Sequence, residues 1–228
     1  LSSSSAASDV YKRQVMPDAE KARLVALCER QQVPLIEDDT YGALTDDDTP
    51  LAAAKSWDAT GNVIYCSSMH KTLAPGMRLG WLLGGRWKAR IAMLKFAQSR
   101  PNEPLAQIAV AEFLGSRAYD RHLARLRRHL KIQRDQTAEA IAAHFPRGNR
   151  LSVPQGGMLL WVEMPGGRSG MEVFEGALQE GIRVAPGAMF SNSTRYNHFL
   201  RISCGQRTTP DISRALQTLA RIVGERAA

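Results

Sequence analysis

Residues 66–81, Cys-Ser-Ser-Met-His-Lys-Thr-Leu-Ala-Pro-Gly-Met-Arg-Leu-Gly-Trp, constrain this chain more than any other stretch. A short apolar run (Val63, Ile64, Tyr65, Cys66) leads in and a second (Leu79 to Leu83) leads out. Between them stand two serines, a lysine, a Pro-Gly turn and an arginine. Strand, polar turn, strand is how a buried sheet presents reactive groups at its edge. Lys71 has apolar strands on both sides and is the candidate for a desolvated amine. Desolvation disfavours the ammonium, which is what a Schiff-base lysine needs. Ser67, Ser68 and Arg78 add hydroxyls and a guanidinium fork, suited to a phosphate dianion. Amine plus phosphate cup points to pyridoxal 5'-phosphate held on Lys71 as an aldimine.

Two plainer readings compete. A lysine in a polar turn is commonly just solvated. Ser68-Met69-His70-Lys71 also fits the Ser-x-x-Lys of penicillin-binding serine hydrolases, but the Lys-Thr-Gly which that family needs is nowhere in the chain. Upstream, Pro34-Leu35-Ile36 opens a strand expected to be buried, ending in Glu37-Asp38-Asp39-Thr40-Tyr41-Gly42. Acids at the end of an apolar strand are costly unless they face a cation or hydrogen-bond donors. Read alone, these residues also fit a solvated acidic turn or a carboxylate metal cluster. Asp46-Asp47-Asp48 reads as an exposed loop.

The remaining chain alternates helix and strand patterns, which makes it an α/β protein. Residues 1–14 are low in complexity and read as a disordered or non-native leader. Pro17 opens a helix with an apolar stripe of Leu24, Leu27 and Cys28. After Gly84-Gly85, residues 86–98 form a helix with Ile91 and Leu94 on one face. A second helix with Leu105, Ile108 and Phe113 follows the break at Arg100-Pro101. Residues 117–145 form one long helix, with Tyr119, Leu123, Leu126, Leu130 and Ile141 as its buried stripe. Arg117, Arg121, Arg125, Arg127, Arg128, Lys131 and Arg134 cover much of the rest and carry a large part of the net charge of +8. Such a face could attract DNA, but it has no aromatic interleaving, so a solvated face or subunit contact is the reading, with His122 and His129 on the surface. The last part has strands at 159–163, 182–187 and 198–204 and helices at 170–180 and 210–226. The boundaries expected are 1–14, 15–116 and 117–228. Arg201 is notable, because arginine inside an apolar strand is rarely placed without an anionic partner. Cys28, Cys66 and Cys204 lack metal-ligand spacing and read as reduced thiols of a cytoplasmic protein; no metal is expected. No apolar run reaches the length of a membrane span.

The whole segment 66–81, together with Asp38-Asp39-Thr40-Tyr41 and Leu200-Arg201-Ile202-Ser203, resembles fold-type I pyridoxal-phosphate aminotransferases of class I/II. It looks most like the aminotransferase-like domain of MocR-type regulators of the GntR family, from about Val15 to the C-terminus. The resemblance implies a partial fold: a remnant of the large, mainly parallel-sheet domain plus the small C-terminal domain, truncated at the N-terminus. It implies that Lys71 carries the aldimine and shuttles the α-proton. Asp38 then pairs with the pyridine nitrogen, Tyr41 bonds the phenolic oxygen, Ser68 and Arg78 take the phosphate, and Arg201 forks onto the substrate carboxylate. The activity implied is amino transfer between an amino acid and a 2-oxo acid, in a homodimer. The alternative is a ligand-sensing effector domain of a regulator without turnover, reaching DNA only through an N-terminal domain not in this sequence. A catalytically dead scaffold is the third class.

Overall fold

The computed structural model describes residues 16–46, 51–152 and 154–225. The leader expected at residues 1–14 and two of the three aspartates read as a loop, Asp47 and Asp48, lie outside them; Asp46 is exposed. The chain divides into two compact units between Arg127 and Arg128.

The first unit begins with helix α1, Asp18–Arg30, which follows Pro17 and carries Asp18 and Glu20 in its first turn and Arg30 in its last, as the helix dipole favours. Its inward face keeps Leu24 and Cys28 of the expected stripe, both packed against the core, but is centred elsewhere. Val25 and Lys21 are buried while Leu27 is exposed. The Lys21 stem runs through the interior, and its ammonium donates to the Ala52 carbonyl at 2.6 Å and to Asp18. Strands β1 (Leu35–Asp38), β2 (Val63–Ser68) and β3 (Gly80–Leu83) form a sheet in the order β1-β2-β3, the first pair parallel and the second antiparallel. Leu35, Val63, Val25 and Ala54 make the small core against α1. Ile36 faces outward, so β1 is half-buried rather than buried as expected. Glu37 points inward and accepts from the Ala54 and Lys55 amides at 2.6 and 2.9 Å, two of the free N–H groups of a helical turn.

Helices α2 (Lys88–Ser99), α3 (Pro104–Leu114) and the start of α4 (Arg117–His144) complete this unit. Glu103 caps α3 by accepting from Leu105 and Ala106. The apolar faces expected on α2 and α3 are largely open, with Leu94, Leu105 and Ile108 exposed.

The second unit starts in α4, whose Leu130 and Ile141 are buried as the periodicity predicts. Arg134 is buried too, contrary to a uniformly solvated basic face, and donates to the Gly157 carbonyl at 3.0 Å. Strands β4 (Arg150–Leu151), β5 (Leu159–Glu163), β6 (Ala185–Pro186) and β7 (Phe199–Ser203) form a sheet in the order β4-β5-β7-β6, all pairs antiparallel. Helices α5 (Gly170–Gln179) and α6 (Pro210–Gly224) close it. Ile141, Leu160, Val162, Val173, Leu200 and Leu219 lie at the centre of a core of fifteen buried residues. The strand expected over 182–187 is only two residues long, Ala185–Pro186, with a 3-10 turn from Gly187 to Phe190 directly after it. Among the described residues, no helix is long and apolar enough to cross a membrane.

Candidate functional site

The parallel pairing of β1 with β2 decides where the chemistry collects. Asp38 stands in register with Cys66, so the loops leaving both strands open at the same carboxyl end of the sheet. Ligands of parallel sheets gather at that end. Asp38 ends β1 and its loop carries Asp39 and Tyr41; Ser68 ends β2 and its turn carries His70 and Lys71.

Lys71 lies in the turn after β2 and is half-buried, so it is less desolvated than the flanking apolar runs suggested. Its ammonium sits 5.8 Å from the centre of the Tyr41 ring, over the face, a cation–π distance. The turn is stiff. The Leu73 and Ala74 amides both donate to the Met69 carbonyl, at 3.0 and 3.1 Å, and the Met69 amide donates to Leu79. Next to Lys71, the His70 Nδ1 is buried without a hydrogen-bond partner among the described residues.

Ser68 ends β2 opposite Gly80. The pairing is close: a Cβ at Gly80 would stand 2.6 Å from the Ser67 carbonyl oxygen. Arg78 is exposed and holds φ +49° and ψ +34°, a left-handed conformation. An arginine there costs about 1 kcal/mol or more, strain of the kind that clusters at ligand sites.

Asp38 is exposed, and its Oδ1 accepts from the Thr40 amide and hydroxyl at 3.2 and 2.5 Å. The next residue does structural work that the sequence did not single out. Asp39 turns inward, its Oδ2 accepting from the Tyr65 hydroxyl at 2.8 Å and its amide donating to Cys66. Burial raises its carboxyl above the ordinary range against the pull of that Tyr65 hydrogen bond, and the neighbouring Glu37 charge adds to the rise. Burial, with the Asp39 bond next, pushes the Tyr65 phenol up as well. Burial raises the Cys66 thiol, and the Asp38 charge adds to it.

Two residues of α4 also reach these loops, and both read from sequence as part of a solvated face. His122 is half-buried, and its Nε2 lies 2.7 Å from the Thr72 carbonyl. Arg127 donates through Nε to the Ala43 carbonyl at 2.8 Å. Nothing local in the sequence marks them, since each partner is more than forty residues away.

Arg201, the remaining expected residue, belongs to the second unit. It stands on β7 between Trp161 and Ala185, half-buried, with its guanidinium 4.5 Å from the centre of the Phe190 ring. Among the described residues it makes no ion pair, and neither do Lys71, Asp38 or Arg78. No group of three or more His, Cys, Asp or Glu among the described residues could hold a metal ion.

The family model for aminotransferase class I and II matches residues 14–219. An Escherichia coli K12 protein named as the uncharacterized HTH-type transcriptional regulator YjiR is 34% identical over 92% of this chain and 44% of its own length. The kynurenine aminotransferase of Pyrococcus horikoshii, solved with PMP, has a TM-score of 0.84 at 25% identity, covering 93% of this chain and 53% of that one. LysN, the alpha-aminoadipate aminotransferase of Thermus thermophilus, solved with N-(5'-phosphopyridoxyl)-L-leucine, gives 0.83 at 25%, covering 92% and 55%. The chain spans about half the length of the proteins it matches.

Proposed function

This chain belongs to the class I and II aminotransferase family, and from that premise we propose that it is a pyridoxal-phosphate-binding domain of amino-transfer type in which Lys71 bonds the cofactor. The observation that carries this is the meeting of Lys71 with Tyr41 at the shared carboxyl end of β1 and β2, the strands that Asp38 and Ser68 terminate. Support comes also from the phosphopyridoxyl compounds held by the two solved relatives.

Pyridoxal phosphate, when bound, supplies an electron sink for the bond broken at the substrate's α-carbon. The residues divide the remaining work. The Lys71 amine would hold the cofactor and, once released by exchange with the substrate's amine, would take and return the α-proton as general base and acid. The Asp38 carboxylate holds a proton on the pyridine nitrogen, and the Tyr41 hydroxyl bonds the phenolic oxygen. Ser68 and Arg78 bind the phosphate. Arg201 forks onto the substrate's α-carboxylate, a bidentate geometry lysine cannot copy. In this reading residues 15–116 belong to the large cofactor domain, and residues 117–228 form the linking helix and small domain. The substrates are an amino acid and a 2-oxo acid, and the full-length protein is a cytoplasmic homodimer.

A second reading is favoured by the regulator relatives such as YjiR. There the same site senses its ligand without turnover, and DNA is contacted by a domain outside this sequence. Both readings require Lys71. In the full-length protein, added pyridoxal phosphate should produce a visible absorbance band that Lys71→Ala abolishes and Lys88→Ala keeps. Turnover of an amino acid with a 2-oxo acid then selects the enzyme, and a band without turnover selects the sensor. A band that persists in Lys71→Ala would defeat both.

A further inference from the structure

The loops that bring Lys71 and Tyr41 together are each tied to the same helix by a long-range side-chain bond. A carbonyl oxygen can only accept, so the 2.7 Å contact at Thr72 requires His122 to carry its proton on Nε2 and donate. Thr72 directly follows Lys71 and is itself buried. Inside that turn the Met69 carbonyl takes both the Leu73 and Ala74 amides, so the bond to Thr72 comes from outside the turn. The imidazole is itself held edge-on against Phe113, at 6.2 Å between ring centres. Arg127 repeats the arrangement on the other loop. Its Nε reaches the Ala43 carbonyl, two residues past Tyr41, inside the 3-10 turn in which the Leu44 amide donates to Tyr41.

We propose that His122 and Arg127 are positioning residues that fix the Lys71 turn and the Tyr41 loop against one rigid helix, so that the amine meets its cofactor pre-aligned. The inference rests on the reading of Lys71 given above for its consequence, though not for its geometry. Two loops free to drift would spread the amine over many positions, and preorganisation of this kind contributes by removing that freedom before binding. The bonds run to backbone carbonyls. Side chains at Thr72 and Ala43 can therefore vary without breaking them, whereas the donors at 122 and 127 cannot be apolar.

The test uses the full-length protein with two readouts. Hydrogen exchange at the Leu73 and Ala74 amides reports the turn without any cofactor. Borohydride trapping reports how much cofactor Lys71 captures at a fixed, subsaturating pyridoxal phosphate concentration. His122→Ala should speed exchange at both amides roughly tenfold, the scale of one lost hydrogen bond, and lower capture by a similar factor. His122→Gln, which keeps a donor at comparable reach, should restore most of both. Arg127→Ala should lower capture while leaving exchange at Leu73 and Ala74 unchanged, since it acts on the other loop. Wild-type exchange and capture in His122→Ala, or a folded His122→Gln no better than His122→Ala, would overturn the proposal. If the unsubstituted protein takes no label on Lys71, the cofactor reading fails, and the exchange comparison still decides whether His122 holds the turn.

Discussion

Asp58 shows how much one carboxylate can organise, here at the end of β2 away from the candidate site. Its side chain is almost fully buried, and it accepts from the Lys55 ammonium at 2.7 Å, the Val63 and Asn62 amides at 2.9 Å and the Thr60 amide at 3.2 Å. Burial alone would raise its pKa, but the Lys55 bond and then the Val63 and Asn62 amides outweigh it and hold the group at about 2. The folded value lies below the ordinary 3.8, so the stabilisation is complete above that pH and is lost as pH falls from about 4 toward 2. The displacement corresponds to about 2 kcal/mol. Urea unfolding should therefore find Asp58→Asn weaker by about that amount at pH 6, with the gap to wild type closing below pH 4. A gap that stays constant from pH 6 to pH 3 would show that the charge is not what Asp58 contributes. The sequence does not reveal this role, because Asp58 sits in a polar loop like any other and its partners are set by how the chain turns into β2. The same applies to Glu37, whose inward turn toward two amides cannot be told from the outward turn of Asp38 one residue later.

At the scale of elements, periodicity carries far where the run is long. Helix α4, strands β5 and β7 and helix α6 all fall close to their expected bounds, since 28 or 15 residues of helix leave little room for another reading. Short apolar runs tell less. Ile36 and the Gly80–Leu83 run are strand as expected, yet their side chains are exposed, because strand propensity does not specify what covers each face. Nor does a helical pattern say which polar residues point inward, and so Arg134, His122 and Arg127 read as solvated. The β2–β3 pairing makes an element-level prediction. Gly80 faces Ser68 in register, and a methyl group there would strike the Ser67 carbonyl. Gly80→Ala should push β3 off the strand that leads to Lys71 and cost about 1–3 kcal/mol. Thermal unfolding indistinguishable from wild type would mean that β3 yields easily and does not brace the lysine turn.

At the scale of the whole molecule, the two units are unlike in what they bury. Residues 128–225 enclose a core of fifteen buried residues around a four-stranded sheet, whereas the core of the first unit against α1 has four. The first unit nevertheless holds Lys71, Asp38, Tyr41, Ser68 and Arg78, and Ile36, Leu83, Phe96, Leu105 and Ile108 lie open on it. The fold class was readable because the sixteen residues around Lys71, taken as a unit, resemble the lysine segment of fold-type I aminotransferases. Solved relatives at TM-scores of 0.84 and 0.83 bear that reading out. In the proposed reading, what the site does depends first on a single bond between one amine and the cofactor. The most direct measurement is to load the full-length protein with pyridoxal phosphate, reduce it with borohydride and map the labelled peptide. The account predicts one phosphopyridoxyl group, on Lys71; a label on Lys55, Lys88 or Lys95 with Lys71 unmodified would contradict it.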